Sequence, residues 1–300
     1  MKGAAPYFGV FLRGMLMGAA DIVPGVSGGT VAFITGIYDR LLAALTAVDL
    51  RWLRLLLGGR WRAAFAALDG GFLLALLAGI GTSVATLAQL LSWLLDTYPV
   101  LLWAFFFGLI AGSAIYLVRQ ISVWNGAVLS ALLAGFTAAV AVALSPAVRL
   151  DGGAAGLFLA GFVAICAMIL PGISGSFVLV ILGMYERVLA AIEAFDLGAL
   201  AVFAAGAASG LLLFSRLLRW LLHRFHAASM ALLTGFLAGS LLAVWPWQLP
   251  RVGERLQPAL PAAYSEVTGH AAQLLPAVLL MAVGFVLVWQ LERRWGPVEP

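Results

Sequence analysis

The run Pro24-Gly25-Val26-Ser27-Gly28-Gly29-Thr30 returns 147 residues later as Pro171-Gly172-Ile173-Ser174-Gly175-Ser176-Phe177. Around it Gly14 matches Gly161, Gly36 matches Gly183, and Tyr38-Asp39-Arg40 matches Tyr185-Glu186-Arg187. Further on the offset becomes 127: Gly79 with Gly206, Trp93 with Trp220, Gly108 with Gly235, and Ala111-Gly112-Ser113 with Ala238-Gly239-Ser240. The chain is two copies of one unit, and each copy carries a Pro/Gly/Ser break inside apolar sequence. In a membrane protein that combination marks a solute site between the halves.

The membrane setting follows from composition: 64% of the 300 residues are hydrophobic and 10% charged, with a mean hydropathy of +1.08. A soluble domain of this length needs far more surface charge. Apolar stretches of about the 20 residues that span a bilayer recur at 71–95, 99–118, 124–144, 199–222, 227–244 and 271–291. Strand-like alternation does not occur, so helices are expected and not a barrel. The single cysteine, Cys166, excludes an intrachain disulfide and reads as packing. The N-terminus faintly imitates a signal peptide, but Arg13 interrupts its apolar region and the repeat begins inside it, so it is expected to be retained.

Each copy opens with two helical stretches flanking the motif: about 7–23 and 27–45, then 156–170 and 174–194. They form either a hairpin that enters and leaves on one side or one broken helix that crosses. The basic residues choose the hairpin. With a cytoplasmic N-terminus, Lys2, Arg40, Arg51, Arg54, Arg60, Arg62, Arg119, Arg216, Arg219, Arg224, Arg293 and Arg294 fall inside, against Arg149, Arg187, Arg251 and Arg255 outside. A crossing would export the four arginines of 51–62. A hairpin plus three spans inverts the second copy. The expected fold is therefore an all-α polytopic membrane protein of two inverted-topology repeats, each a re-entrant helical hairpin plus three transmembrane helices. Repeat 1 covers 1–150 with its hairpin at 7–46, and repeat 2 covers 151–300 with its hairpin at 156–195. The change of offset places an insertion at 50–69, either an amphipathic helix on the inner leaflet or an ordinary basic loop. Residues 245–269 read as a proline-rich outer loop.

In the motif, proline ends one helix, and Ser27 and Ser174 stand at the N-cap of the next. Glycines allow a tight turn and close approach to the backbone. A helix start offers free N–H groups and partial positive charge, a setting familiar for phosphate. Candidate anion ligands are Ser27, Gly28, Gly29 and Thr30 in the first copy, and Ser174, Gly175 and Ser176 in the second. Asp21 lies three residues before Pro24, and its counterpart is Met168. It is a candidate to carry a coupling proton or bind a sodium ion; the alternatives are a local cap or a pair with Arg13. Arg13 either contacts phosphate or snorkels to headgroups. Arg40 and Arg187 either anchor the interface or guide phosphate, and Tyr38 and Tyr185 read as interface aromatics. The three histidines lack carboxylate or cysteine company, so no metal is expected. No cofactor and no nucleic-acid partner are expected, and a homo-oligomer stays open.

The segment Arg13-Gly14-Met15-Leu16-Met17-Gly18-Ala19-Ala20-Asp21-Ile22-Val23-Pro24-Gly25-Val26-Ser27-Gly28-Gly29-Thr30, followed by Gly36-Ile37-Tyr38, resembles the bacterial polyprenyl-phosphate transporter family. Pro171 to Ser176, with Gly183-Met184-Tyr185-Glu186, resembles its second signature. The resemblance implies transport of undecaprenyl phosphate, a lipid carrier of cell-wall precursors, from the outer to the inner leaflet of the bacterial cytoplasmic membrane. The substrate would then be this lipid; the charge bias puts both termini in the cytoplasm. Membrane undecaprenyl-pyrophosphate phosphatases are also similar, with a Pro-Gly-x-Ser-Arg-Ser motif. Here Gly28 and Gly175 stand at the arginine position, and the first copy contains no glutamate. Phosphoanhydride hydrolysis needs charge neutralisation and a base or nucleophile, so a transporter is expected and not an enzyme. A small-anion transporter is the remaining alternative.

Overall fold

The structure is a computed structural model that describes residues 5–22, 27–145, 150–249 and 257–295. The loop tip Val23-Pro24-Gly25-Val26, and Lys2, Arg149, Arg251 and Arg255 of the charge count, lie outside the described residues.

The first repeat folds as α1 (Ala5–Ile22), α2 (Gly28–Ile34), α3 (Tyr38–Thr46), α4 (Leu50–Leu57), α5 (Trp61–Ala67), α6 (Gly70–Thr97), α7 (Pro99–Arg119) and α8 (Gly126–Leu144). The second gives α9 (Ala154–Ile169), α10 (Gly175–Ile181), α11 (Tyr185–Glu193), α12 (Leu197–Arg224), α13 (His226–Ser240), α14 (Pro261–Thr268) and α15 (Leu274–Trp295). Local signals set many boundaries. Pro99 occupies the first turn of α7, where its missing N–H costs nothing. Asn125 caps α8 by accepting from the Val128 amide at 2.9 Å. Among the described residues α6, α7, α8, α12 and α15 are long and apolar enough to cross a bilayer. The chain is a multi-pass helical membrane protein.

The second arm of each hairpin departs from the expected continuous helix. α2 stops at Thr35 and α10 at Leu182, and α10 and α11 meet at 108°. The reason is a left-handed glycine, Gly36 at φ 70° and Gly183 at φ 65°. In the first arm the Gly36 amide donates to the Phe33 carbonyl and the Ile37 amide to Ala32. In the second the Gly183 amide donates to Val180 and the Met184 amide to Leu179. This is the Schellman termination, which satisfies the last carbonyls only when one residue adopts the conformation glycine tolerates.

The helices gather into two compact units, each drawing on both repeats. The first unit holds α1 to α5, α6 as far as Ala88, and α9 to α12. A methyl at Gly14 would meet the Leu76 carbonyl, and one at Gly79 the Phe11 carbonyl, so α1 and α6 touch backbone to backbone. The same reciprocal pair recurs between α9 and α12, as Gly161 with Phe203 and Gly206 with Phe158. Without hydrophobic drive between lipid-exposed helices, such close approach supplies the association.

The second unit holds the rest of α6, with α7, α8, α13, α14 and α15. Here each repeat packs on the other: α7 on α15 and α8 on α13. Gly108 faces Met281 and Gly284 faces Phe105, as Gly235 faces Leu132 and Gly135 faces Leu232. The matched positions Leu132/Met281 and Gly135/Gly284 lie 149 apart, so the repeat extends into the third span. α13 ends at Ser240 after 15 residues, shorter than the span expected at 227–244, and residues 241–244 continue as a turn. The stretch 245–269 carries structure of its own: Gln248–Leu249 (β1) pairs antiparallel with Gln257–Pro258 (β2), and α14 follows.

The insertion at 50–69 forms the two short helices α4 and α5 in the first unit. Asp49 caps α4 through the Trp52 amide at 2.8 Å, and the Trp52 indole donates to the Ala64 carbonyl of α5 at 3.1 Å. Leu50, Leu57 and Trp61 are exposed beside Arg51, Arg54, Arg60 and Arg62.

Candidate functional site

Both hairpins lie in the first unit, apart from residues 171–173. In the first copy Ser27 is buried, and its hydroxyl accepts from the Gly29 amide at 3.1 Å. The same hydroxyl donates toward the carbonyls of Met168 at 3.2 Å and Leu170 at 3.4 Å, at the end of α9. Gly29 is required by this approach, since a Cβ there would come 2.9 Å from the Ile169 carbonyl. The Thr30 amide donates to the Ser27 carbonyl at 3.0 Å, and Thr30 is fully buried. The Gly28 amide donates to Asp21 Oδ1 at 2.7 Å. The first helix start is thus capped by its own serine and by a carboxylate seven residues upstream. Asp21 thus acts as a local cap, and the half-buried Arg13 donates to the Thr35 carbonyl at 3.2 Å.

The second copy is arranged differently. Ser174 sits at the N-cap of α10 with extended backbone, but its side chain caps no amide. Its hydroxyl is 2.8 Å from the hydroxyl of Ser176. Ser174, Gly175 and Ser176 line a cavity of about 270 Å³, together with Asp21, Met168 and Phe203. The cavity therefore joins the hydroxyls of the second motif to the carboxylate of the first hairpin. Its remaining walls are apolar, so the few polar groups present set what it can orient. Two hydroxyls offer donors to an anion; a carboxylate repels one unless it is protonated or cation-bound.

Arg40 and Arg187 do not reach this cavity's lining. Arg40 Nε lies 2.6 Å from Asp69 Oδ2, with its guanidinium over the Phe72 ring at 4.4 Å. Arg187 lies 3.6 Å from Asp196. The acid partners are themselves related by the 127 offset, so the ion pair is a repeated feature. The Ala199 amide, and after it Arg187, hold the Asp196 carboxyl below the usual carboxylate range against its desolvation. These pairs are half exposed, and such pairs contribute about 0–1 kcal/mol.

One connection escaped the sequence. Tyr38, expected at the membrane interface, is 3% exposed and donates to the Ile169 carbonyl at 2.9 Å. Tyr185, its counterpart, is 44% exposed. The signal available was the YD/YE pair in both copies, but nothing in it says that one tyrosine is buried. Ser27 and Tyr38 together tie α2 and α3 to the last carbonyls of α9.

A polytopic helical chain with a repeated Pro/Gly/Ser break, whose second copy lines a small cavity together with a carboxylate of the first hairpin, has the character of a membrane transporter. Residues 17–254 match the family described as VCA0040-like, undecaprenyl phosphate translocase-like, and the chain belongs to that family. It is similar to the polyprenyl-phosphate transporter of Vibrio cholerae serotype O1, 41% identical over 300 positions that cover 96% of each chain. It is also similar to the polyprenyl-phosphate transporter of Staphylococcus aureus, 31% identical over 78% of this chain and 85% of that one. No solved structure matches.

Proposed function

We propose that the protein translocates undecaprenyl phosphate, or a related polyprenyl phosphate, across the bacterial cytoplasmic membrane. The direction is recycling, from outer leaflet to inner. The observation that carries this reading is the cavity in which Ser174, Gly175 and Ser176 face Asp21 across the two hairpins. The names of the two relatives support the substrate class. The phosphate is held by the hydroxyls of Ser174 and Ser176 and the amide of Gly175, with Ser27, Gly28, Gly29 and Thr30 contributing once Asp21 releases the Gly28 amide. The prenyl tail stays in lipid, because only the headgroup needs shielding from hydrocarbon. Arg13, Arg40 and Arg187 guide the phosphate by their charge. Asp21 couples the cycle to a proton or sodium ion: neutralised, it no longer opposes the anion. The repeats are inverted, the hairpins enter from opposite sides, and both termini are cytoplasmic, as the arginine distribution supports. The protein performs no catalysis.

The test uses purified protein in vesicles carrying undecaprenyl phosphate in one leaflet, with phosphate accessibility measured on the other. Wild type is expected to equilibrate the leaflets and to release no phosphate from undecaprenyl pyrophosphate. Steady phosphate release that disappears in Ser27→Ala would turn the assignment to the phosphatase. Uptake of inorganic phosphate without lipid movement would turn it to a small-anion transporter.

A further inference from the structure

Where α7 packs on α15 in the second unit, a groove of about 250 Å³ opens along the helix pair. Gly112 forms its floor: a Cβ there would lie 3.2 Å from Val288 Cβ and 3.3 Å from the Phe285 carbonyl. The helices run in the same direction, since Gly108 faces Met281 and Gly112 faces Phe285 and Val288. Ile115, Phe285 and Val286 make apolar walls and are 38–45% exposed. Arg119, in the last turn of α7, and Trp289 line the other end. One turn on, the Arg293 guanidinium stacks 3.5 Å over the Trp289 ring. The groove thus has an apolar length and a cationic, tryptophan-bearing end. Arg119 is exposed and takes part in neither ion pair found among the described residues.

We infer that this groove binds one anionic phospholipid, with an acyl chain along Ile115 and Val286 and the headgroup phosphate at Arg119 and Arg293. The two ends select both parts of such a molecule. A free anion gains nothing from apolar walls in a membrane span, and a neutral chain gains nothing from two arginines. Guanidinium groups bind phosphate through paired N–H donors, and tryptophan sits at headgroup level. The arginines fall on the side that the charge count assigns to the cytoplasm, where anionic lipids give basic residues their added attraction. The site is independent of the substrate cavity, which is built by other helices.

The experiment uses the full-length protein in mild detergent with phosphatidylglycerol carrying a photoreactive diazirine on one acyl chain, and the matching phosphatidylcholine as comparison. Cross-linked peptides are mapped by mass spectrometry. Labelling by phosphatidylglycerol should fall on the 115–119 and 285–289 peptides and exceed that by phosphatidylcholine about fivefold or more. Arg119→Gln should reduce it by about the same factor, and Arg119→Lys, which keeps the charge but loses the paired donors, should fall between wild type and Arg119→Gln. Equal labelling by the two lipids in wild type would overturn headgroup selection, whatever the variants do. Labelling confined to other helices, or undiminished in Arg119→Gln, would overturn the site.

Discussion

The two hairpins share a motif and differ in what answers it. In the first, every amide at the start of α2 is met from within: Gly28 by Asp21, Gly29 by the Ser27 hydroxyl, Thr30 by the Ser27 carbonyl. In the second, Met168 stands where Asp21 would be, Ser174 caps nothing, and its hydroxyl turns toward Ser176 and the cavity. A repeated sequence therefore does not carry a repeated role. One copy is closed on itself and tied to α9; the other presents its hydroxyls. At the first amide of the helix the difference follows from one substitution, since the Met168 thioether is a far weaker acceptor than the carboxylate that Gly28 meets.

The largest effect that would break this contrast concerns the serines. Ser174→Ala combined with Ser176→Ala should lower lipid translocation by about a hundredfold, since two hydrogen bonds to a charged group are removed. Ser27→Ala should instead act on the fold: about 1 kcal/mol of stability lost with its cap, and translocation reduced by less than about tenfold. Thermal unfolding and vesicle transport measured together decide between them. Comparable transport losses without a stability change in Ser27→Ala would make the copies equivalent after all.

Asp21 comes next. Asp21→Asn keeps an acceptor for the Gly28 amide but removes the charge. Substrate binding should be kept at or above the wild-type level, since a neutral side chain no longer opposes the anion, while the response to an imposed proton or sodium gradient disappears. Transport by Asp21→Asn that still follows the gradient would leave Asp21 with its capping role alone. Introducing the missing carboxylate as Met168→Asp places a second negative charge at the cavity wall. It should weaken undecaprenyl phosphate binding by about tenfold, read by titration, through like-charge repulsion in a poorly solvated site.

The smallest effects are expected at the repeated ion pairs. Arg40→Gln and Arg187→Gln should each slow transport by about two- to fivefold at low salt and by nothing measurable at 1 M, where charge guidance is screened. Asp69→Asn and Asp196→Asn, which remove the partners and keep the arginines, should leave transport unchanged. Losses of equal size in the acid variants would mean that the ion pairs, and not the arginine charges, matter.

Much of this was legible in the residues, though unevenly. Apolar length alone predicts five of the spanning helices, because a bilayer demands internally satisfied backbone over a set distance, but it overreaches at 227–244, where the helix stops at Ser240. Gly36 and Gly183 stood out as repeat positions, yet their use as helix terminators needed the neighbouring carbonyls to be seen. The repeat beyond Ser113 and Ser240 was invisible because the matched residues, Leu132 with Met281 and Gly135 with Gly284, are too few and too common to register. Their correspondence appears only through the helices they touch.

By itself the sequence determined the helical class, the doubling, the place of each break and the asymmetry of Asp21. These depend on composition, spacing and the conformational limits of proline and glycine, all of which act within a few residues. Only the tertiary structure decided which partner each polar group found. Ser27 reaches carbonyls 141 and 143 residues away, and Tyr38 one 131 away. Whether Asp21 meets Arg13 or Gly28 likewise depends on how the arms of the hairpin pack. A hydrogen bond is set by ångström-scale distances between atoms, and packing brings those atoms together without regard to their separation along the chain.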